Sequence, residues 1–432
     1  MGIGQHLSSV NPAFLKDEER WVNVKIKDIP ILFNTRGEIV CIPREDEVFA
    51  AAICGSSGNG KTLLANRLVS GLYFQWNSNV AIMNDYSEET YKWSEPMKCK
   101  HFNETNDYYL NQKPIASPIV YLYQNTNDLQ VALKSNSAKY YIKTVLPFDE
   151  IMEDIGFYLN GVSPDFDLGK SEMYVNKLKE ELKECKTPTQ VRDCLRENLP
   201  GADGKTFQGM RIKILTAFDR LLEEEILDIT NVECRSYLRL KEPKFRSNPF
   251  STLMKAKLIP SFITSGLATK KYRSAIFSYY INSIFRNNLK DFPGEKTFLY
   301  FDELTTVCTK DGEPSAIAMG NVAARGRINN VGLIYTTQFY DKIPNCVKGA
   351  KLNYCFAFAH NSSKIITEIS RDFDLDKKLR LKMQKLKEFE VIALTNNKFI
   401  CYRNGEPYET REPQVGKIFF PLANHKKAGT KK

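Results

Sequence analysis

The sequence predicts an α/β fold: a mainly parallel sheet sandwiched by helices, with a helical insertion and a small N-terminal β element. Three observations predict it. Gly55-Ser56-Ser57-Gly58-Asn59-Gly60-Lys61-Thr62 fits G-x-x-x-x-G-K-[ST], between an apolar strand pattern at 48–54 and a helical one at 63–69. Two later apolar runs, 296–301 and 331–337, also stop at polar residues, Asp302-Glu303 and Gln338. Between these blocks, residues 146–245 are charged and carry helical apolar spacing.

In chain order, 1–45 reads as a small β element. Residues 1–20 are irregular, and 22–26 alternate as a strand. Two more strands, 31–33 and 38–42, flank a turn at 34–37. The core begins at 46 and runs to 145. Its second strand, 79–84, stops at Asp85, which either lines a ligand site or opens the next loop. Residues 119–123 form a further strand. The insertion, 146–245, is helical over 149–155, 172–185 and 208–226. Lys177, Lys179, Lys183 and Lys186 could touch a phosphate backbone, but Glu180, Glu181 and Glu184 interleave with them, which reads rather as a solvated helix face.

The core resumes over 246–412. It picks up near 256–263, ahead of a helix at 272–287 led in by Lys270, Lys271 and Arg273. The strand at 296–301, a helix from about Ser315 and the strand at 331–337 follow. Then come a strand at 354–359, a helix at 362–373 and a basic segment at 377–387. Strands at 389–394 and 398–402 flank Asn396-Asn397, a hairpin signal. Residues 413–432 read as a basic tail.

The net charge of +10 favours a polyanionic partner. The ten cysteines are scattered without a C-x-x-C pair, which argues for a reduced, cytoplasmic setting and against zinc. No apolar run reaches the roughly 18 residues of a membrane span.

The chemistry follows from the strand ends. In a strand–loop–helix turn, successive backbone N–H groups from Gly55 to Thr62 point at a phosphate, helped by the positive helix end. Lys61 reaches the β- and γ-phosphates, and the Thr62 hydroxyl ligates Mg²⁺. Asp302 holds the metal through water, and Glu303 projects past it as general base. The Gln338 amide senses the γ-phosphate or orients water. Arg325 and Arg327 are candidates for spreading transition-state charge, from a neighbouring subunit if the protein assembles. Each strand end alone reads equally as a solvated acid or a loop cap. The phosphate loop gives them a common purpose.

The ordered block resembles the HerA/FtsK superfamily of P-loop ATPases: phosphate loop, Asp302-Glu303 strand, arginine, then Gly332-Leu333-Ile334-Tyr335-Thr336-Thr337-Gln338. The superfamily includes HerA-like DNA translocases, conjugative coupling ATPases and genome-packaging ATPases. Asn330 departs from its pattern, standing where glycine is common, and 1–45 is too short for the β-barrel of HerA itself. The resemblance implies a RecA-like core, ATP and Mg²⁺ as cofactors, and a ring, a hexamer, with ATP sites between subunits. It selects Arg327, eleven positions before Gln338, as the finger. It implies duplex DNA as partner, moved by ATP hydrolysis, with a nuclease, portal or relaxase as further partner. Contacts to DNA would come from Lys270-Lys271-Tyr272-Arg273 and the loop Thr309-Lys310-Asp311-Gly312. A nucleotide-gated switch and a secretion-type ATPase acting on protein are the alternatives. The switch lacks an N-K-x-D segment, since Asn176-Lys177-Leu178-Lys179 has no Asp.

Overall fold

The structure, a computed structural model, describes residues 27–44, 48–85, 90–97, 110, 114–123, 141–144, 146, 148–153, 155–163, 170–198, 205–223, 249–263, 269–348 and 352–423. The strand expected at 22–26, residues 224–226 of the insertion helix and the lysines of 426–432 lie outside the described residues.

Strands β1 (Ile29–Asn34), β2 (Ile39–Ile42), β3 (Ala50–Cys54), β4 (Asn79–Asp85), β5 (Ile119–Tyr123), β6 (Tyr141–Lys143) and β7 (Ile259–Ile263) come from the first two thirds of the chain. β8 (Thr297–Phe301), β9 (Val331–Thr337), β10 (Tyr354–Ala357), β11 (Glu390–Thr395), β12 (Phe399–Arg403), β13 (Glu406–Thr410) and β14 (Gln414–Ile418) complete one sheet. Its order is β13-β12-β2-β1-β14-β11-β10-β3-β9-β8-β4-β7-β5-β6. From β10 to β6 every pairing is parallel; from β13 to β10 every pairing is antiparallel. The parallel half is the expected core.

Parallel strands must be covered on both faces, and the alternation within each strand does this. Ala51 and Ile53 of β3, Phe298 and Tyr300 of β8, and Ile334 of β9 bury on one face, against helix α1 (Lys61–Ser70). There Leu63, Leu64, Leu68 and Val69 are 3% exposed or less, each contributing about 1.5–3 kcal/mol of burial. Leu299, Phe301, Leu333 and Tyr335 face the other side. That side is covered by α2 (Lys205–Glu223) and the other insertion helices, by α3 (Lys270–Asp291) and α4 (Pro314–Asn329), and by α5 (Ser363–Asp372) and α6 (Lys377–Gln384).

Three boundaries differ from the sequence reading. First, β1 and β2 do not stand apart as a leading element; they lie between β14 and β12, hydrogen-bonded into the core sheet. Second, β14, which the sequence assigns to a basic tail, pairs with β1 and β11, and Phe419 and Phe420 after it are buried. Five residues of Gln-Val-Gly-Lys-Ile carry too little periodicity to announce a strand. Gly416 is required there because a Cβ would sit 2.0 Å from the Phe33 carbonyl oxygen. Third, Asn396-Asn397 does not turn a hairpin, because β11 and β12 pair with other strands. The hairpin is β12–β13, turned by Asn404 (φ 52°) and Gly405 (φ 88°). Asn-Gly suits the two positive φ angles of a type I′ turn.

Helix α4 ends at Asn330, in the left-handed region (φ 55°, ψ 37°). This explains the departure from glycine: asparagine is the other residue that takes this conformation readily. The chain then turns directly into β9, bringing Gly326 against it. A Cβ on Gly326 would lie 2.1 Å from the Val331 carbonyl oxygen. Gly326→Ala therefore forces α4 off the sheet and costs about 1–3 kcal/mol, read as a lowered thermal midpoint.

Candidate active site

Strands β3, β9 and β8 are neighbours, and their parallel register puts Cys54 beside Thr337 and Phe301 beside Tyr335. The residues that follow them, the phosphate loop, Gln338 and Asp302-Glu303, therefore emerge together at one sheet edge. β4 ends at the same edge with Asp85, beside β8.

The loop is built on glycines at φ 154° (Gly55), 86° (Gly58) and 106° (Gly60). A Cβ on Gly55 would lie 2.6 Å from Phe358 Cβ, so backbone must pass where no side chain fits. The loop is braced from outside. Gly55 N–H donates to the Thr337 carbonyl (3.3 Å), and Ser56 N–H to that of Ala359 (3.0 Å). Asn59 Nδ2 donates to the Ala359 carbonyl (3.1 Å), and Phe389 N–H to that of Asn59 (3.3 Å). The N–H groups of Ser57, Gly58, Asn59 and Gly60 have no acceptor among the described residues. They form the cradle that the motif requires. Lys61, nearly buried, lays its ammonium across it toward the Ser56 carbonyl (3.1 Å).

Glu303 sits at φ 47°, ψ 72°, a left-handed conformation that costs a non-glycine residue roughly 1–2 kcal/mol. Such strain persists where surroundings over-determine it. Here Glu303 N–H donates to Thr336 Oγ1 (2.8 Å), and that hydroxyl donates to Asp302 Oδ1 (2.9 Å). The Glu303 carboxylate accepts from Thr305 Oγ1 (2.6 Å) and from Gln338 N–H (3.2 Å to each oxygen). Burial pushes its carboxyl above the usual carboxylate range. The Thr305 and Gln338 hydrogen bonds and the Lys61 charge pull it down, and Asp302 pushes it up.

Asp302 is 5% exposed and also accepts from Tyr300 OH (3.3 Å). Asn84 grips its backbone: Asp302 N–H donates to the Asn84 carbonyl (2.9 Å), and Asn84 Nδ2 donates to the Asp302 carbonyl and to Thr306 Oγ1. Thr62, half-buried in the first turn of α1, has a hydroxyl with no partner among the described residues. A hydroxyl and a carboxylate are hard oxygen donors of the kind that Mg²⁺ takes.

Sequence reasoning missed Thr336, Asn84, Thr305 and His360. His360 Nε2 donates to the Gln338 carbonyl (2.9 Å), while its Nδ1 is buried without a partner. Burial and the nearby Lys61 lower its pKa. The one available signal was a pair of threonines closing an apolar strand, at 336–337.

One pair of residues is not brought to this edge. Arg325 and Arg327 are exposed near the C-terminal end of α4, which leads into the start of β9 and so lies at the opposite edge. Arg327 borders a cavity of about 400 Å³ with Val48, Phe49, Val331 and Asn353, the starts of β3, β9 and β10. Arg327 thus does not join the other site residues within one chain. Lys270-Lys271-Tyr272-Arg273 opens α3 beyond the end of β7, on the site's side of the sheet, but is largely committed internally. Lys270 pairs with Glu313 (3.2 Å), Tyr272 is buried, and Arg273 Nε donates to the Thr306 carbonyl (3.3 Å). The loop at 309–312 is pinned through Asp311, which accepts from Cys346 N–H (2.8 Å).

The architecture and loop define a RecA-like P-loop α/β fold. No family model matches the chain, and no curated protein matches it in sequence. Among solved structures the chain is similar to VirB4 of Thermoanaerobacter pseudethanolicus, at 14% identity and a TM-score of 0.57, covering 90% of this chain and 96% of that one. It is also similar to the bacterial conjugative coupling protein TrwBΔN70 in complex with sulphate, at 13% identity and a TM-score of 0.52, covering 97% and 96%. The particular fold is therefore the one these two structures share, with the mainly parallel core that the sequence led one to expect. Among the described residues no helix is long and apolar enough to cross a membrane.

Proposed function

We propose that the chain is an ATP-hydrolysing motor that moves duplex DNA, working as a ring with its ATP sites between subunits. The observation that carries the enzymatic part is the convergence of three adjacent strand ends: phosphate cradle, Asp302-Glu303 and Gln338. DNA as cargo is supported by the sequence resemblance, by the net charge of +10 and by a structural neighbour that is a conjugative coupling protein.

In this reading the N–H groups of 57–60 and the Lys61 ammonium bind the phosphates. Thr62 and Asp302 would hold Mg²⁺, which would supply positive charge against the charge developing on the phosphates. Glu303 takes the proton of the attacking water. Its burial raises its basicity, and the Gln338 N–H and Thr305 hydroxyl fix its direction. Gln338, whose backbone is held between Glu303 and His360, presents its amide to the γ-phosphate or the water. Arg327 completes the neighbour's site.

The test is phosphate release from ATP with and without long duplex DNA. Mg²⁺-dependent hydrolysis stimulated by duplex is expected, with ATP preferred over GTP in competition. Lys61→Ala should lose nucleotide binding. Turnover indifferent to duplex in an assembled ring would refute the motor.

A further inference from the structure

Residues 377–387 carry six cations, Lys377, Lys378, Arg380, Lys382, Lys385 and Lys387, and no acid. All six are exposed. Arg380 Nε donates to the Leu375 carbonyl (3.0 Å), and the ammonium groups of the five lysines have no partner among the described residues. An ordinary solvated face looks different: in the insertion, Lys183 pairs with Glu180 at 3.0 Å. Helix α6 is nevertheless fixed in place. Its N-cap Asp376 accepts from Leu379 N–H (2.7 Å), and Met383 and Leu386 bury beneath it. A rigid row of unneutralised cations complements a polyanion.

The row is also wired to the phosphate loop. Lys387 N–H donates to Glu390 Oε2 (2.9 Å), and Glu390 N–H to the Lys387 carbonyl (3.0 Å), closing a tight turn. Phe389 lies inside that turn at φ 65°, a left-handed conformation that a side-chain-bearing residue holds at a cost. Its N–H holds the Asn59 carbonyl, and its ring would be 3.1 Å from a Cβ on Gly60. The loop therefore rests on a residue two positions from the last cation.

We infer that the exposed face of α6 and the turn after it grip the phosphate backbone of duplex DNA, and that Phe389 passes that grip to the phosphate loop. The inference rests on the motor reading for its nucleotide, but not for its surface. Backbone contacts by lysines carry no sequence information, which suits a sliding cargo. Coupling is reciprocal: if docked DNA changes nucleotide affinity, nucleotide changes DNA affinity by the same factor.

The test uses the full chain, a labelled random-sequence duplex and a non-hydrolysable ATP analogue. Lys378→Gln, Lys382→Gln and Lys385→Gln together should lower the slope of log affinity against log salt by about 2.7, roughly 0.9 per phosphate contact. Hydrolysis without DNA should stay at the wild-type rate. Phe389→Leu should keep duplex affinity but lose the change that the analogue induces in the wild type. An unchanged salt slope in the triple variant overturns the surface, as does lysine-dependent capture on phosphatidylserine vesicles without duplex binding. A wild-type response to the analogue in Phe389→Leu overturns the coupling. If the wild type releases no phosphate from ATP while the triple variant still loses duplex binding, the surface stands and the hydrolysis reading falls.

Discussion

Glu303→Gln is expected to lower ATP turnover by about 10²–10⁴-fold while nucleotide binding survives, measured by phosphate release against binding of a labelled analogue. The amide keeps the shape and can still accept from Thr305 and the Gln338 N–H, but cannot take the proton of water. The loop that binds phosphate is built from other residues, so affinity should hold. The pH profile carries a second signature. Because burial raises the Glu303 pKa, its basic form is lost at a higher pH than for an ordinary carboxylate, and turnover should fall there as pH drops. The stability term has a definite sign. Between the ordinary and the raised value the folded state binds more protons than the unfolded one, so stability from this group declines as pH rises through that window. Above the window the full cost remains. Glu303→Gln removes it, and its thermal midpoint relative to wild type should rise across the same window.

Arg327→Ala is expected to reduce turnover by about 10³–10⁵-fold without loss of nucleotide binding. Its position at the far sheet edge means that its own chain's phosphate loop does not use it. Mixing decides the matter. Lys61→Ala subunits cannot bind nucleotide but carry an intact arginine; Arg327→Ala subunits have the converse defect. Where an Arg327→Ala site meets a Lys61→Ala neighbour, a complete interface forms and some activity returns. No recovery in mixed rings of confirmed assembly would eliminate the arginine as a donor in trans. Arg325→Ala serves as the comparison, since it is also exposed near the same helix end.

Much of this was legible in the sequence, for reasons particular to each element. Strands buried on both faces, such as β8 and β9, read as unbroken apolar runs, so their polar ends stood out. The glycine spacing of the loop reports backbone geometry directly. What stayed hidden was pairing across long separations. Nothing local in 414–418 says that it lies between β1 and β11. The support of the site was hidden likewise. Asn84 and Thr336 hold Asp302-Glu303 only because β4 and β9 flank β8, and that neighbourhood is a property of the sheet order. The Asn404-Gly405 turn is the one hairpin legible locally, since it and not Asn396-Asn397 has the glycine that a type I′ turn favours.

The placement of β1 between β2 and β14 has a bearing on how the molecule is made. Asn34 Nδ2 donates to the side chain of Gln414, a contact spanning 380 positions. A chain leaving the ribosome exposes β1 and β2 long before β12 and β14 exist to pair with them. Closing so long a loop is not thermodynamically prohibitive, since each doubling costs only about 0.6 kcal/mol. It is slow, however, and unpaired strand edges invite association meanwhile. The antiparallel half should therefore be the last part to consolidate during biogenesis and the part on which nascent chains depend for chaperone shelter.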